Sequence, residues 1–456
     1  MTSNLSEALA AFATSAPISA ESRIRARIVL ADALIAMLSG RVLPAGAAAL
    51  RFADAKPGVE GRSREFASLR KVDAPHAAFI NGVLAHANET DDSHESARMH
   101  PSCSIVPAAL GTTEASGGNV ARLLDSIAIG YDVGVALNLA TWTDPRVLRA
   151  SRVSTHHTGA VFGSLGAAIR GSGSLQDVGA TALSYAVQHV GGSTTWLRDT
   201  EHVEKAVVFG GLPARSALFS LELAGLGFSG VKDPFGGPES YFDAFGVDSD
   251  PAIAFARLQQ PGLAVTETCI KRYPIGMPIQ AAMQAVDELV GLGNTALPGD
   301  VLIELPAEKV HVVDNREMAN ISAQYVVALR LLSGDIAFDV LHELAPGPEG
   351  IDDLRKRIKM VGVRELDADS NGHDTTRVAR VTMAFGSESR SRFVAWPIGT
   401  PVNPIGWDGV TQKSREVLGG CGWSAQAAEE MVEIVRVADD SASCSDLVDA
   451  VAALVG

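Results

Sequence analysis

The stretch IRARIVLADALIAML, residues 24–38, decides the fold class. Ile24, Ile28, Ala31, Ile35 and Leu38 return at three- and four-residue intervals, which places them on one face of an α-helix, and Gly40 supplies a stop. The same spacing recurs at 77–87, 119–139, 159–169, 176–190 and 214–226. In 159–169 the residues Gly159, Gly163 and Gly166 recur at turn spacing, so a neighbouring backbone can approach closely at some cost in helix propensity. The first 230 residues are therefore expected to be helical and free of strands.

After residue 266 the texture changes. Residues 301–313 are rich in Val and Ile with strand-like alternation, 358–363 is a short apolar run, and 377–385 and 391–396 flank the turn signal Gly386-Ser387-Glu388-Ser389. Helical spacing lies between them at 279–292, 322–332 and 354–358, and returns at 410–418, 425–437 and 447–454. The expected fold is mostly α: a large all-helical domain built from both chain ends (1–266 and 397–456) with an inserted, smaller α+β lid domain at 267–396.

Composition narrows the function classes. The chain has 456 residues, 46% apolar and 20% charged, and a net charge of -15 from 38 Lys and Arg against 53 Asp and Glu. No basic block is present to follow a phosphate backbone, so nucleic acid is an unsuitable partner. The start lacks a basic region followed by an apolar run, and no apolar run of about 18 residues is free of polar breaks, so a cytoplasmic protein with no membrane partner is expected. Cys103, Cys269, Cys421 and Cys444 lie far apart, which suits reduced thiols rather than a disulfide framework or a CxxC metal site.

The densest polar cluster is Glu89-Thr90-Asp91-Asp92-Ser93-His94 followed by His100-Pro101-Ser102, just past an expected helix end. Asp, Ser and Thr cap helices readily, so a capping loop is one reading. A metal site is another, because His86, Asp91, Asp92, His94 and His100 are plausible ligands, although they show no recognised ligand spacing. His156-His157 stands immediately before the Gly-rich helix, where either ring could be a buried hydrogen-bonding group. Lys205 precedes Phe209-Gly210-Gly211 and a helix, and Lys271 lies in Ile270-Lys271-Arg272-Tyr273-Pro274. A lysine near a helix start, with exposed amides, suits a carboxylate. No P-loop, dinucleotide fingerprint or nucleophile elbow is present.

In order and spacing these segments resemble the MmgE/PrpD family. The resemblance rests on Asn81-Gly82 through Glu89-Thr90-Asp91-Asp92-Ser93 to His100-Pro101-Ser102, and on His157 before the Gly-rich helix. It continues with Lys205 five residues before Gly210, Ala214-Arg215, Gly227-Phe228-Ser229-Gly230, Lys271-Arg272-Tyr273-Pro274 and Ser322-Ala323-Gln324-Tyr325. It implies a homodimer and a cleft without metal or other cofactor. The implied catalytic residues are His157, His100, Lys205, Lys271, Tyr325 and Asp91, with Glu89, Asp92, Ser93, Arg272 and Gln280 binding substrate. The chain departs from the family pattern at Glu89, Ser93 and Val208, and after the Lys-x-Tyr-Pro motif, where Ile275, Gly276, Met277 and Gln280 stand.

The implied function is that of a cofactor-independent hydro-lyase of the 2-methylcitrate dehydratase kind, acting on a small di- or tricarboxylic acid. A decarboxylase or epimerase on the same site, or a non-catalytic dimeric binding protein, are the alternatives. All three reactions move a proton, or build a carbanion, next to a carboxylate. Cations held beside the carboxylate oxygens stabilise the charge that develops there. Lys205 and Lys271 suit that role, His157 and His100 suit the proton transfer, and Tyr325 suits protonation of a leaving hydroxyl.

Overall fold

The computed structural model describes residues 4–246, 248–291, 297–366 and 377–455. Helix accounts for 59% of the chain and strand for 9%, in agreement with the mostly α fold expected from the spacing. The chain divides into two units, Met1–Thr268 with Gln426–Gly456, and Cys269–Ala425. The second unit therefore runs to residue 425, beyond the boundary at 396 drawn from the sequence texture.

Most helices of the first unit lie where the apolar spacing places them. Ala20–Gly40 carries the stretch at 24–38, capped by the Ser19 side chain, which accepts from the Ser22 amide. Val120–Thr141 and Thr155–Ser172 pack along each other with backbones in close approach. A Cβ on Gly134 would lie 2.6 Å from the Gly159 carbonyl oxygen, and one on Gly163 would lie 2.8 Å from that of Gly130. The glycine spacing read from the sequence thus marks a helix crossing that no larger residue fits. The C-terminal return closes the unit: the Arg27 guanidinium donates to the Val435 and Ala438 carbonyls, and Val120 and Ala121 amides donate to Ala442 and Asp440.

One expectation is corrected here. The first 230 residues do contain strands, β1 (Glu60–Arg64) and β2 (Lys71–Val72), which pair antiparallel across a short loop. Polar residues such as Arg62 and Arg64 hide this hairpin from apolar alternation, and Asn81 pins it by accepting from the Phe66 amide and donating to the Arg64 carbonyl. Val120–Thr141 and the run Val203–Gly225 are long and apolar enough, by length and composition, to cross a membrane, although charged residues such as Asp125 and Arg215 break each of them. Of the most apolar window in the first, 89% is buried inside the protein, and in the second 56%. A helix packed on all sides by other helices is apolar all round.

Glu114, at the end of the helix Ser102–Ala115, is 1% exposed. Burial drives its carboxyl up to about 8, against the opposing pull of the Arg64 amide and the cations of Lys71 and Arg64. Those two cations pair with Asp449 instead. Because the folded value lies above the unfolded one, the unfolded chain releases this proton first, and stability drains away as pH rises from about 4.5 to about 8. Glu114→Gln keeps the shape and removes the titration. Its denaturation midpoint should change less than that of the parent between pH 5 and 8, with the variant more stable at the upper end by roughly 1–3 kcal/mol. Parallel curves for the two proteins would refute the assignment.

In the second unit β3 (Val301–Pro306) lies between β4 (Ile358–Val363), parallel to it, and β5 (Ala379–Phe385), antiparallel; β6 (Glu388–Val394) forms a hairpin with β5. Helices Gln280–Val290 and Ala323–Ser333 bury Met283, Val286, Val326 and Leu329 among the inward residues of the sheet. The sequence reading of 301–313 as one strand is corrected: the chain turns into a helix, Ala307–Val313. Pro306 has no N–H for the ladder, and Ala307, Glu308 and Lys309 favour helix. The helical reading of 354–358 also shifts, to a short helix Ile351–Arg355 with Ile358 already in β4. Residue 292, the last of the expected helix 279–292, lies outside the described residues.

Candidate active site

In the first unit, the helix Ala74–Ala85 ends at His86, and the loop that follows carries the acidic cluster to the start of the helix Ser102–Ala115. Opposite that loop the chain forms a 3-10 turn Thr194–Arg198, a short helix Val203–Ala206 and a π turn Val207–Gly211. Gly210 and Gly82 explain the join: a Cβ on Gly210 would sit 1.9 Å from the Gly82 carbonyl oxygen, so the two segments meet backbone to backbone. Single π turns of this kind recur at functional sites. Here the π turn carries Phe209 into the centre of a ring cluster.

Phe209 stacks on His156 (centroids 4.2 Å apart, 12° between planes) and on His86 (4.7 Å, 24°), and meets Trp196 edge-on at 4.7 Å. His100 stacks on His156 at 5.2 Å, and His202 lies 5.2 Å from His86. The Lys205 ammonium sits 5.4 Å from the Phe209 ring and 5.7 Å from that of Trp196, and pairs with the Glu89 carboxylate; the two side chains are 16% and 6% exposed. Aromatic faces and a carboxylate together hold this cation out of bulk water. Burial lowers the His156 pKa well below its ordinary value, and the nearby rings of His100 and His86 and the Lys205 cation add to the effect. His156 is therefore a neutral imidazole, and its Nδ1 is buried without a hydrogen-bond partner among the described residues.

His157, the base read from the sequence, is not brought into this cluster. Its Nδ1 lies 2.9 Å from the Val208 carbonyl and its Nε2 3.1 Å from that of His189; a neutral ring donates to only one of the two, and the ring is packed between both backbone segments. Its neighbour His156 is the one that faces Lys205 and His100. Apolar spacing could not choose between them, because the helix Thr155–Ser172 is buried nearly all round.

The acidic loop divides its residues between tasks. The Asp91 carboxylate accepts from His86 Nδ1 at 2.7 Å and lies 3.7 Å from His100 Nδ1. Asp92 is fully buried, with Tyr131, Ser102 and Thr268 as donors, and burial raises its pKa despite those bonds. The Ser93 hydroxyl donates to Glu95, and His94 Nε2 lies 3.4 Å from Glu267. Ligand atoms of His86, Asp91 and Cys103 fall within 4.8 Å of one another, close enough for one cation. They are, however, engaged internally: His86 Nδ1 with Asp91, and the Cys103 thiol with the His100 and Phe209 carbonyls, its pKa pushed well above the ordinary value by burial and by Asp91 and Asp92. As they stand, His86 and Asp91 are bonded to each other and Cys103 to backbone, bonds that a cation would have to displace.

The other expected site residues lie in the second unit. Lys271 is 1% exposed there. Arg272 forms a two-point ion pair with Glu416, at 2.6 and 2.9 Å, and its guanidinium lies 5.2 Å from the Tyr273 ring. The Gln280 amide is spent on backbone: it accepts from the Tyr273 amide and donates to the Tyr273 and Ile275 carbonyls. Gln280 therefore shapes the turn after Lys271, with both of its amide hydrogens given to backbone. Burial and the carboxylates of Glu343 and Asp352 raise the Tyr325 pKa, which keeps the phenol protonated.

Trp196, His202 and Phe209 had not been expected. Their signal in the sequence was their nearness to Lys205, but only the π turn brings Phe209 under the histidines.

Fold and site define a mostly helical protein of two units, with an acid–base cluster on the helical one. Residues 7–254 match the MmgE/PrpD N-terminal domain and residues 273–439 the MmgE/PrpD C-terminal domain, and the chain belongs to the MmgE/PrpD family. It is similar to the human (Homo sapiens) cis-aconitate decarboxylase, with 25% identity over 304 residues that cover 62% of this chain and 61% of that protein. The matched part thus spans less than two thirds of that relative's length.

Proposed function

We propose that the protein is a cofactor-independent lyase that moves a proton next to a carboxylate of a small di- or tricarboxylic acid, with loss of water as the net reaction. The observation that carries this reading is the stack of His100 on neutral His156 beside the caged Lys205 cation. Removal of a proton α to a carboxylate places charge on the carboxylate oxygens. Lys205 is the cation for those oxygens, shared with Glu89 before substrate arrives. His156 supplies a neutral N–H donor to the same developing charge, the use of imidazole that a lowered pKa allows. His100 takes the proton. The roles given to Lys271 and Tyr325 rest on the family resemblance.

Decarboxylation is the second reading, favoured by the name of the human relative. It needs the same features, because loss of carbon dioxide also leaves a carbanion next to a carboxylate, which His100 then protonates. Incubation with a panel of di- and tricarboxylates in heavy water, followed by proton NMR, tests both. The expected result is deuterium uptake at a carbon beside a carboxylate, with an ultraviolet-absorbing alkene if water leaves and carbon dioxide if a carboxylate does. No exchange and no turnover across the panel would refute the proposal.

A further inference from the structure

Asp92 has the look of a substrate ligand in sequence, yet its carboxylate has no room for one. Oδ1 accepts the Ser102 amide at 2.9 Å, and Oδ2 accepts the Tyr131 hydroxyl at 2.6 Å and the Thr268 hydroxyl at 2.9 Å. Both Asp92 and Tyr131 are fully buried, and the Tyr131 pKa is raised well above its ordinary value by burial and by Asp92, so the phenol stays a donor. The Thr268 hydroxyl also lies 3.0 Å from the Ser93 carbonyl, so its one hydrogen is shared between the two acceptors. Three elements thus lock this one residue: the start of the helix Ser102–Ala115, the middle of Val120–Thr141, and Thr268.

The locked residue turns its backbone carbonyl to His100 Nδ1, 2.6 Å away. A carbonyl oxygen only accepts, so Nδ1 must carry the hydrogen, and in the neutral ring Nε2 then holds the lone pair. Asp91 Oδ2, 3.7 Å from the same Nδ1, favours that hydrogen as well. We infer that Asp92 is a positioning residue: its side chain, clamped by Tyr131, Ser102 and Thr268, sets its carbonyl so that His100 is held as the Nδ1–H tautomer with Nε2 as its proton-accepting nitrogen. This deepens the lyase reading and rests on it for its consequence in turnover, though not for the tautomer itself.

Side-chain nitrogen NMR of the full-length protein tests the clamp directly, with His100 picked out among the 11 histidines by its loss in His100→Gln. In the parent, His100 should show a protonated Nδ1 and a lone-pair Nε2. Tyr131→Phe removes one donor and keeps the ring, and Thr268→Val removes another from a different element. In each, the His100 signals should move toward a mixture of tautomers, with kcat down about tenfold and KM within about twofold, as for loss of one hydrogen bond to a charged acceptor that acts through geometry. An Nε2–H tautomer in the parent, or His100 signals unmoved in both folded variants, would overturn the inference. A correct tautomer together with full turnover by His100→Gln would instead refute the lyase assignment of His100 and leave the clamp standing.

Discussion

Lys205→Met is expected to lose both stability and substrate affinity, and the two losses separate. The Lys205 cation and the Glu89 carboxylate are paired with side chains only 16% and 6% exposed. Removing the cation leaves that carboxylate in a poorly solvated place, which costs about 3–5 kcal/mol in comparable buried pairs. The double variant Lys205→Met with Glu89→Gln takes away the stranded charge as well, so its denaturation midpoint should return most of the way to that of the parent. Affinity for the carboxylate should not return. Close charge contacts of this kind contribute about 2–5 kcal/mol to binding, or roughly 30-fold and upward in Kd. Equilibrium titration of the double variant with the best substrate of the panel checks this. Binding as tight as the parent's would show that Lys205 serves Glu89 and the aromatic cage alone, and that the substrate carboxylate binds elsewhere.

The second large effect distinguishes adjacent histidines. His156→Gln and His100→Gln should each lower kcat by about 100-fold or more, the former by removing a donor aimed at developing charge and the latter by removing the base. His157→Gln should keep turnover within a few-fold, because the His157 ring meets the Val208 and His189 carbonyls. Its cost should appear in thermal stability, where roughly 1–3 kcal/mol is typical of a buried hydrogen-bonding group with one partner lost. Steady-state rates and melting curves for the three variants provide the comparison. Full turnover by His156→Gln, or a His157→Gln protein that is stable but inert, would move the chemistry back to His157.

The order of Glu89, Asp91, Asp92, Ser93, His100, Lys205 and the Lys271 segment was enough to place the chain in its family, and helical spacing was enough to place most of the helices. Local rules failed where neighbours overrode them. Residues 301–313 alternate as a strand throughout, but only 301–306 have β4 and β5 as partners, and past Pro306 the chain becomes helical. Gln280 lies close to the Lys271 segment in sequence, and its amide is taken up by backbone it could not have been seen to touch.

By itself the sequence determined the helical class, the smaller α+β region, the Gly-rich face at Gly159, Gly163 and Gly166, and the loop and lysine of the candidate site. These depend on apolar period, small-residue spacing and motif order, all of which are local along the chain. Tertiary structure decided which of two adjacent histidines faces Lys205, that Glu89 pairs with that cation, and that Asp92 is clamped by Tyr131, Ser102 and Thr268 while Asp91 joins His86. Successive residues on a helix or in a loop point in different directions. In an element buried on every side no period marks one direction as functional, so only the partner supplied by a distant segment can choose between them.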